Sequence, residues 1–549
     1  MKIVKKITAQ KSMPILIGLA LLAGITAPIP GQLARAPSAL YCETVVDQSV
    51  DGPVSAEGVK GSELKATIVE SPRHGVATLA KPSSRAWSYT PGRGFSGSDE
   101  FLIETAGGHF TRVVVMVSAA PTRKTYYVDA LHGSDTNAGS LHKPFATIQA
   151  AQDVTKPGDT VLIRAGTYSE TSNEAVLLVS RSGMPGNFIT YKAYPGEHPV
   201  LHTTVAWNTV LITASYIRIE ELEIAGNAKS VSIEDAAKVA ERFMKEPAAA
   251  TYGPETSAYE TNGISIRPAN QKASMSKMIS PRHIEIIGNY VHDCQGGGVS
   301  AQWSDYVSIE GNRIERTSVR AMYATSGISL LGMQNTDFER PAYKDVIARN
   351  TLSRNETKVV WAKIKKMSDG NGIILDSNRN TGDPTGEPYT GRILVANNIV
   401  SESGGAGIQI FATDNTDVIF NTVYHNSVTP GLNYGQIWCH KASNIRVYNN
   451  IALAGEGAKI NEKFNDTQNV IYDYNVYFGG KYPDIVGPHD LIADPEFSDV
   501  AGNDFQLLPA SPAVDTAFAG FGVRQDNLGH SRPSGKGLDR GALELEQKW

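Results

Sequence analysis

The sequence predicts an all-β chain, a parallel β-helix (solenoid) preceded by a small β-sandwich, and two interleaved repeats carry that reading. One is a short apolar run ending in Asn, at Asn289, Asn312, Asn350, Asn397, Asn421, Asn449 and Asn475, spaced 23, 38, 47, 24, 28 and 26 residues apart. The other is a Gly followed by alternating apolar residues, as in Gly263-Ile264-Ser265-Ile266 and Gly407-Ile408-Gln409-Ile410, recurring at Gly298, Gly327, Gly372, Gly435 and Gly457. Short β-type segments at a period in the twenties, with Gly and Asn at the corners, mark a coil that stacks on itself. Each rung is too short to bury its own apolar face, so neighbouring rungs bury it for one another. Asn suits the corners because it tolerates left-handed backbone and stacked Asn side chains bond along a ladder.

The chain of 549 residues has room for more than one domain, and 51 glycines fit a turn-rich β protein. A net charge of −5 without a long basic run excludes a nucleic-acid partner. Cys42, Cys294 and Cys439 are too few and too scattered for a disulfide framework or a zinc site. Residues 1–36 read as an export signal: Lys2, Lys5, Lys6 and Lys11 precede an apolar stretch over 13–27, and Ala34-Arg35-Ala36 offers a cleavage site. A secreted or periplasmic protein is expected, monomeric and without membrane insertion of the mature chain, since no later stretch is apolar enough to span a bilayer.

Residues 42–119 read as the small sandwich. Tyr89-Thr90-Pro91 and the run from Phe95 through Gly97 and Asp99 to Phe101 resemble the cadherin-like and immunoglobulin-like modules of exported bacterial proteins. The coil is expected over 125–545. Its opening carries Tyr126-Tyr127-Val128-Asp129, a Gly- and Asp-rich stretch over 133–140, Pro144-Phe145-Ala146-Thr147-Ile148 and Lys156-Pro157-Gly158-Asp159. These blocks resemble the N-terminal cap and first rungs of secreted right-handed β-helix proteins, among them the family-nine pectate lyases. Within the cap, residues 145–154 read as an amphipathic helix over the open end of the coil, because an exposed rung is a sticky edge. A helical insertion falls at 228–262, with Ser232 as N-cap for a helix over 233–245. Further insertions at 268–281, 332–344, 356–369 and 378–391 are long enough to wall a groove. The blocks around Asp494-Pro495-Glu496-Phe497, Ser511-Pro512-Ala513 and Asp539-Arg540-Gly541 resemble the closing segment of the same β-helix group, sealing the last rungs.

In a Gly-Ile-x-Ile strand the apolar positions point inward and the alternating ones outward. The outward positions read as Ser265, Ser300, Ser329, Ile374, Gln409, Ile437 and Lys459, and two residues on as Arg267, Gln302, Leu331, Asp376, Phe411, Cys439 and Asn461. Arg267, Gln302, Trp303, Gln409 and Phe411, with His440 and Lys441, therefore share one surface and are expected to bind substrate. Trp303 and Phe411 suit sugar rings, and Arg267 and Lys441 suit acidic groups.

The stretch Ser368-Asp369-Gly370-Asn371-Gly372, running on to Asp376, resembles the Asp-Gly-rich rungs that carry calcium and catalytic residues in family-nine pectate lyases. The resemblance implies Asp369 and Asp376 as catalytic residues and as ligands of a calcium ion, with Asn378 and Asp383 near enough to help. It also places Lys459 where a catalytic base stands, although Lys363, Lys365 and Lys441 are open alternatives. The expected function is an exported enzyme cleaving a polysaccharide, a lyase acting on a uronate-containing polymer by β-elimination. Two readings stand beside it: a glycoside hydrolase using Asp369 and Asp376, with Asp293 and Glu402 in reserve and His292 or His425 assisting, and a non-catalytic glycan-binding surface protein.

Overall fold

The computed structural model describes residues 38–54, 65–79, 86–105, 108–170, 172–245 and 254–546. The export-signal stretch lies outside them. Among the described residues no helix is long and apolar enough to cross a membrane.

From Thr125–Val128 onward the chain winds through three parallel sheets of 11, 8 and 11 strands, each strand pairing with its counterpart one rung away. This is a parallel β-helix. Strands of two to six residues alternate inward and outward; Ile284 and Ile286 are fully buried while Glu285 between them pairs with Arg218 on the surface. The inward residues form one continuous core from Val128 to Tyr477.

One corner of the coil is held by an asparagine ladder. The Asn289 amide donates to Oδ1 of Asn312 at 3.0 Å, and Asn312 donates to Asn350, Asn350 to Asn398, Asn398 to Asn421, Asn421 to Asn450 and Asn450 to Asn475, each at the same distance. Asn475 ends the row on Asp490. Each amide also reaches a main-chain carbonyl of the rung behind, such as Ile347 from Asn398. At two places the ladder residue differs from the sequence expectation: Asn398 replaces Asn397 and Asn450 replaces Asn449. The left-handed corner residue is not the ladder Asn but the one before it, as at Gly288, Gly311, Arg349, Asn397, Phe420, Asn449 and Tyr474. Where the chain has Asn-Asn, the first turns the corner and the second bonds.

The cap helix spans Ile148–Gln152, shorter than the expected 145–154. Phe145 instead bridges Val128, and Asp135 takes the amides of Ala146 and Thr147, which delays the helix until after Thr147. The insertion carries a helix over Ile233–Lys245, with Ser232 Oγ accepting from the Asp235 amide; Ala236, Ala240 and Phe243 pack on Met322 and Val359. The C-terminal segment packs on the last rungs, Leu507 and Ala513 against Val476 and Leu491, and reaches well beyond them. It lies along the coil, bonding from Asn527 to the carbonyls of Asn350 and Asn397, from Ala542 to Thr422 and from Arg540 to the carbonyl of Asn475. The left-handed corners leave carbonyls and ring faces exposed on that side, and this segment covers them.

Ahead of the coil stand a four-stranded and a three-stranded sheet that share a core of Trp87, Tyr89, Phe101, Ile103, Val113 and Val115. Asp99 closes a turn there, accepting from the Arg73 and His74 amides and from the Tyr89 hydroxyl. These sheets grip the coil through a buried pair, Glu43 with Arg282, and through the Tyr41 hydroxyl, which donates to the Met278 carbonyl at 2.8 Å.

The ladder makes a prediction that separates adjacent asparagines. Asn398→Ala strands the buried Asn350 amide and the Ile347 carbonyl, so denaturant unfolding should show a loss of roughly 3 kcal/mol or more. Asn397→Gly keeps the left-handed corner and should cost about 1 kcal/mol or less. Equal losses would remove the ladder from its organising role.

Candidate functional site

The outward face of the eight-stranded sheet is the floor of a cleft of about 1340 Å³. Strand register stacks Ser265 on Ser300, Ser300 on Ser329, Ser329 on Ile374, Ile374 on Gln409 and Gln409 on Trp438. The neighbouring stripe runs Gln302, Leu331, Asp376, Phe411, His440, with Arg267 at its start. The walls come from the insertions at 268–281 (Ala269 to Ala273) and 356–369 (Trp361, Ser368 and Asp369) and from the loops carrying Tyr323 to Thr325 and Tyr434.

Of the expected site residues, Arg267, Gln302, Asp369, Asp376, Gln409, Phe411, His440 and Lys459 line this cleft, and Trp303 and Lys441 do not. Trp303 has left-handed backbone at the corner past Gln302, with its ring against Gly332. Lys441 is exposed at the corresponding corner four strands on, its ammonium 5.5 Å from the Phe411 ring centre. Ile437 and Cys439, expected to face outward, belong to the core. The strand there starts one residue late because the buried Gln436 side chain bonds the Asn426 amide as a corner residue does, so Trp438 and His440 take the outward positions. His440 is fixed by stacking on Phe464 at 4.2 Å and by Asp466 at 3.0 Å.

Lys459 is not on a strand. The sheet ends at Ile437–His440, and Gly457, at φ 71°, closes a turn in which the Ala458 amide donates to the Gly455 carbonyl. The Lys459 ammonium is held by Glu462 at 2.5 Å, so it is a paired cation and not a free base. Lys363 and Lys365 are exposed on a wall loop. His292 and Asp293 bond one another at 2.7 Å on a different sheet, and His425 stacks on Tyr424, so these reserve groups lie away from the cleft.

Asp369 and Asp376 are the chemically distinctive pair. Burial pushes the Asp369 carboxyl up to about 7; the bond from Ser368 Oγ at 2.7 Å opposes this and the charge of Asp376 adds to it. Burial pushes Asp376 up to about 6 against a 2.7 Å bond from Ser377 Oγ. No Arg or Lys contributes to either shift. A third carboxyl, Glu260, was not anticipated; burial holds it well above its ordinary range while it accepts from the Met322 and Tyr323 amides, which fixes the wall that carries Tyr323. Trp207, Tyr323, Trp361, Tyr434 and Trp438 add aromatic surface that the sequence reading missed. Only Trp438 sits in the repeat, where the Ile-x-Cys alternation marks it.

The expected calcium ligands do not fit. Calcium takes roughly six to eight oxygens. Asn378 Oδ1 is bonded to the Met333 amide, and Asp383 is bonded to the Met275 amide and to Thr385. Among the described residues no three His, Cys, Asp or Glu side chains gather in a metal-holding group.

Residues 126–267 match the family model described as the Pel9A-like, right-handed β-helix region. The matched stretch covers the first rungs of the coil. YwoF of Bacillus subtilis (strain 168) is 26% identical over 443 residues, covering 70% of this chain and 90% of that protein. Pectate lyase PEL9 of Emericella nidulans is 36% identical over 69 residues, 13% of this chain and 16% of that enzyme. The crystal structure of pectate lyase Pel9A aligns at 12% identity with a TM-score of 0.42, covering 77% of this chain and 97% of that one.

The raised carboxyls fix the sign of a stability effect. Both fold with pKa values above the ordinary 3.8, so the native state holds their protons more tightly than the unfolded chain does. That contribution is complete below about pH 4 and is lost as pH rises through 6 to 7. Asp369→Asn should therefore match the parent protein near pH 4 and exceed its stability by about 1–3 kcal/mol near pH 8. Thermal unfolding across pH reads this; the opposite slope would contradict the buried-acid assignment.

Proposed function

We propose that this protein is an exported enzyme that cleaves a polysaccharide lying along the cleft, with Asp369 and Asp376 as its proton-transfer pair. The observation that carries the reading is two carboxyls that bracket the strand Ile373–Asp376, both raised by burial, in the lining of an aromatic-bordered cleft. Between pH 6 and 7 the pair holds about one proton. Asp369, the more strongly raised, gives it to the departing glycosidic oxygen. Asp376, already ionised, receives the proton of an attacking water or stabilises the developing oxocarbenium ion, which is the division of labour that glycoside hydrolysis needs. Aromatic faces stack on sugar rings, and Gln302, Gln409 and the serine stripe bond their hydroxyls. The basic-then-apolar stretch at 1–36 supports export, so the substrate is an extracellular polymer.

A second reading, β-elimination on a uronate polymer, is favoured by the Pel9A-like match over 126–267 and by the PEL9 similarity. It requires a cation at the substrate carboxylate and a free base beside it. The cleft's Lys459 is paired, and Arg267 stands three strands from Asp376 in the floor.

Incubation of the protein with acidic and neutral polysaccharides, followed for reducing ends and for the ultraviolet absorbance of unsaturated uronate, separates the two. Reducing ends without unsaturated product, with a rate maximum between pH 6 and 7, are expected. Asp369→Asn combined with Asp376→Asn should lower the rate at least ~10²-fold while the protein stays folded. Unsaturated product would install elimination in place of hydrolysis, and full activity in the double variant would take the pair out of the chemistry.

A further inference from the structure

We infer that Asp345 carries a proton in the folded protein, and that this proton latches the insertion at 378–391, and through it one wall of the cleft, to the coil. The latch is independent of the reaction that the cleft performs.

Asp305 and Asp345 open the strands Asp305–Glu310 and Asp345–Ala348, which pair in an eleven-stranded sheet, and both residues are fully buried. The Tyr389 hydroxyl stands between them, 2.7 Å from Asp305 Oδ1 and 2.5 Å from Asp345 Oδ2. A phenol holds one hydrogen, so it donates to one of these oxygens and not to both. With both carboxyls ionised, the second contact would set a carboxylate oxygen against a phenol lone pair inside the protein. One of the two acids therefore carries the missing proton.

The surroundings assign that proton to Asp345. Asp305 accepts from the Tyr306 amide, from the amide and the hydroxyl of Thr336 and from the Lys344 ammonium, besides Tyr389. Asp345 has the Val307 amide on one oxygen and Tyr389 on the other. Lys344 bonds Asp305 at 3.1 Å and Asp337 at 2.8 Å, and Asp337 also takes the Tyr306 hydroxyl, so the ammonium is committed to those two acids. Farther out, Arg282 is paired with Glu43, and His283 is stacked between Tyr216 and Tyr306. Burial raises the Asp345 carboxyl, and the charge of Asp305 adds to the rise. Protonated Asp345 donates to Tyr389, and Tyr389 donates to the ionised Asp305, which satisfies every contact.

Tyr389 anchors the insertion, because its ring enters the core of the coil. The insertion folds around that ring: the Tyr389 amide donates to the Asn378 carbonyl, the Asn380 side chain donates to the Glu387 carbonyl, and Thr390 donates twice to Asn335. Its outer part holds the wall, since Asp383 accepts from the Met275 amide and Thr385 Oγ1 from the Ser276 amide. Met275 and Ser276 belong to the insertion at 268–281, whose Ala269 to Ala273 line the cleft.

Ionisation of Asp345 leaves two buried carboxylates on one hydroxyl, and the one without the hydrogen is strongly destabilised. The insertion then lifts and the wall loses its tie. The native state binds this proton more tightly than the unfolded chain does, so the latch is complete at acidic pH and is lost as pH rises through the raised value.

Hydrogen exchange of the full chain, read by mass spectrometry from about pH 5 to about pH 9 and corrected for the intrinsic rate, tests the latch. In the parent protein, protection over 378–391 and 269–281 should fall about tenfold or more across that range while the inward strands hold. Asp345→Asn, whose amide donates to Tyr389 without titrating, should keep both segments protected throughout. Tyr389→Phe should leave both open even at acidic pH. Difference infrared spectra of the parent against Asp345→Asn at neutral pH should show the carbonyl band of one protonated carboxyl. Undiminished parental protection at alkaline pH, a pH response kept by Asp345→Asn, or no such band overturns the latch. A pH response that persists in Tyr389→Phe overturns it as well, which keeps the test decisive should Asp345→Asn fail to fold.

Discussion

The buried asparagine ladder is the constraint on which the rest of the molecule depends. Its seven members are separated by between 23 and 48 residues, yet each donates to the next at the same 3.0 Å. A buried amide that misses its partner is costly, so each rung is locked in phase with the one before whatever length of chain intervenes. Phase is what a strand cannot choose for itself, because a slip of one residue exchanges its two faces. The ladder thus allows long insertions while keeping the outward stripe straight, and the straight stripe brings Ser265, Gln302, Asp376 and His440 onto one floor.

The same logic explains which parts of the structure were legible. The repeat of Gly and Asn was enough for the coil, for its order of rungs and for the floor stripes from Ser265 to Gln409 and from Arg267 to Phe411. Errors arose where two residues satisfy one local rule. At Asn397-Asn398 and Asn449-Asn450 both members suit a corner, and only the three-dimensional row of amides separates them. At Gly435 the Gly-led pattern continues, but Gln436 is long enough to reach the Asn426 amide and acts as a corner residue, which shifts the strand by one and turns Trp438 outward. At Gly457 the pattern continues in letters alone, because a left-handed Gly closes a turn.

The walls were not legible for a different reason. Trp207, Tyr323, Trp361 and Tyr434 come from segments without a period, and their placement follows from tertiary support. The helix Ile233–Lys245 packs behind Met322 and Val359, and Glu260 holds the Met322 amide, so the wall bearing Tyr323 stands on a buried acid and an inserted helix. On the other side the small sandwich braces the segment carrying Gln271 and Lys272. The floor is a product of the repeat and the walls are products of what interrupts it.

The C-terminal segment alters the physics of the whole stack. A coil whose rungs touch only their neighbours behaves as a one-dimensional chain, free to fray from an end and to melt in pieces. Here one strap bonds to rungs as far apart as those of Asn350 and Asn475. A terminal rung cannot loosen without straining a partner several layers inward, so the ends borrow the stability of the middle. The cost falls on assembly, since those contacts join residues up to 177 positions apart and form only after the corner they cover exists. The strap makes a cooperative unit of a structure that its repeat alone would leave modular.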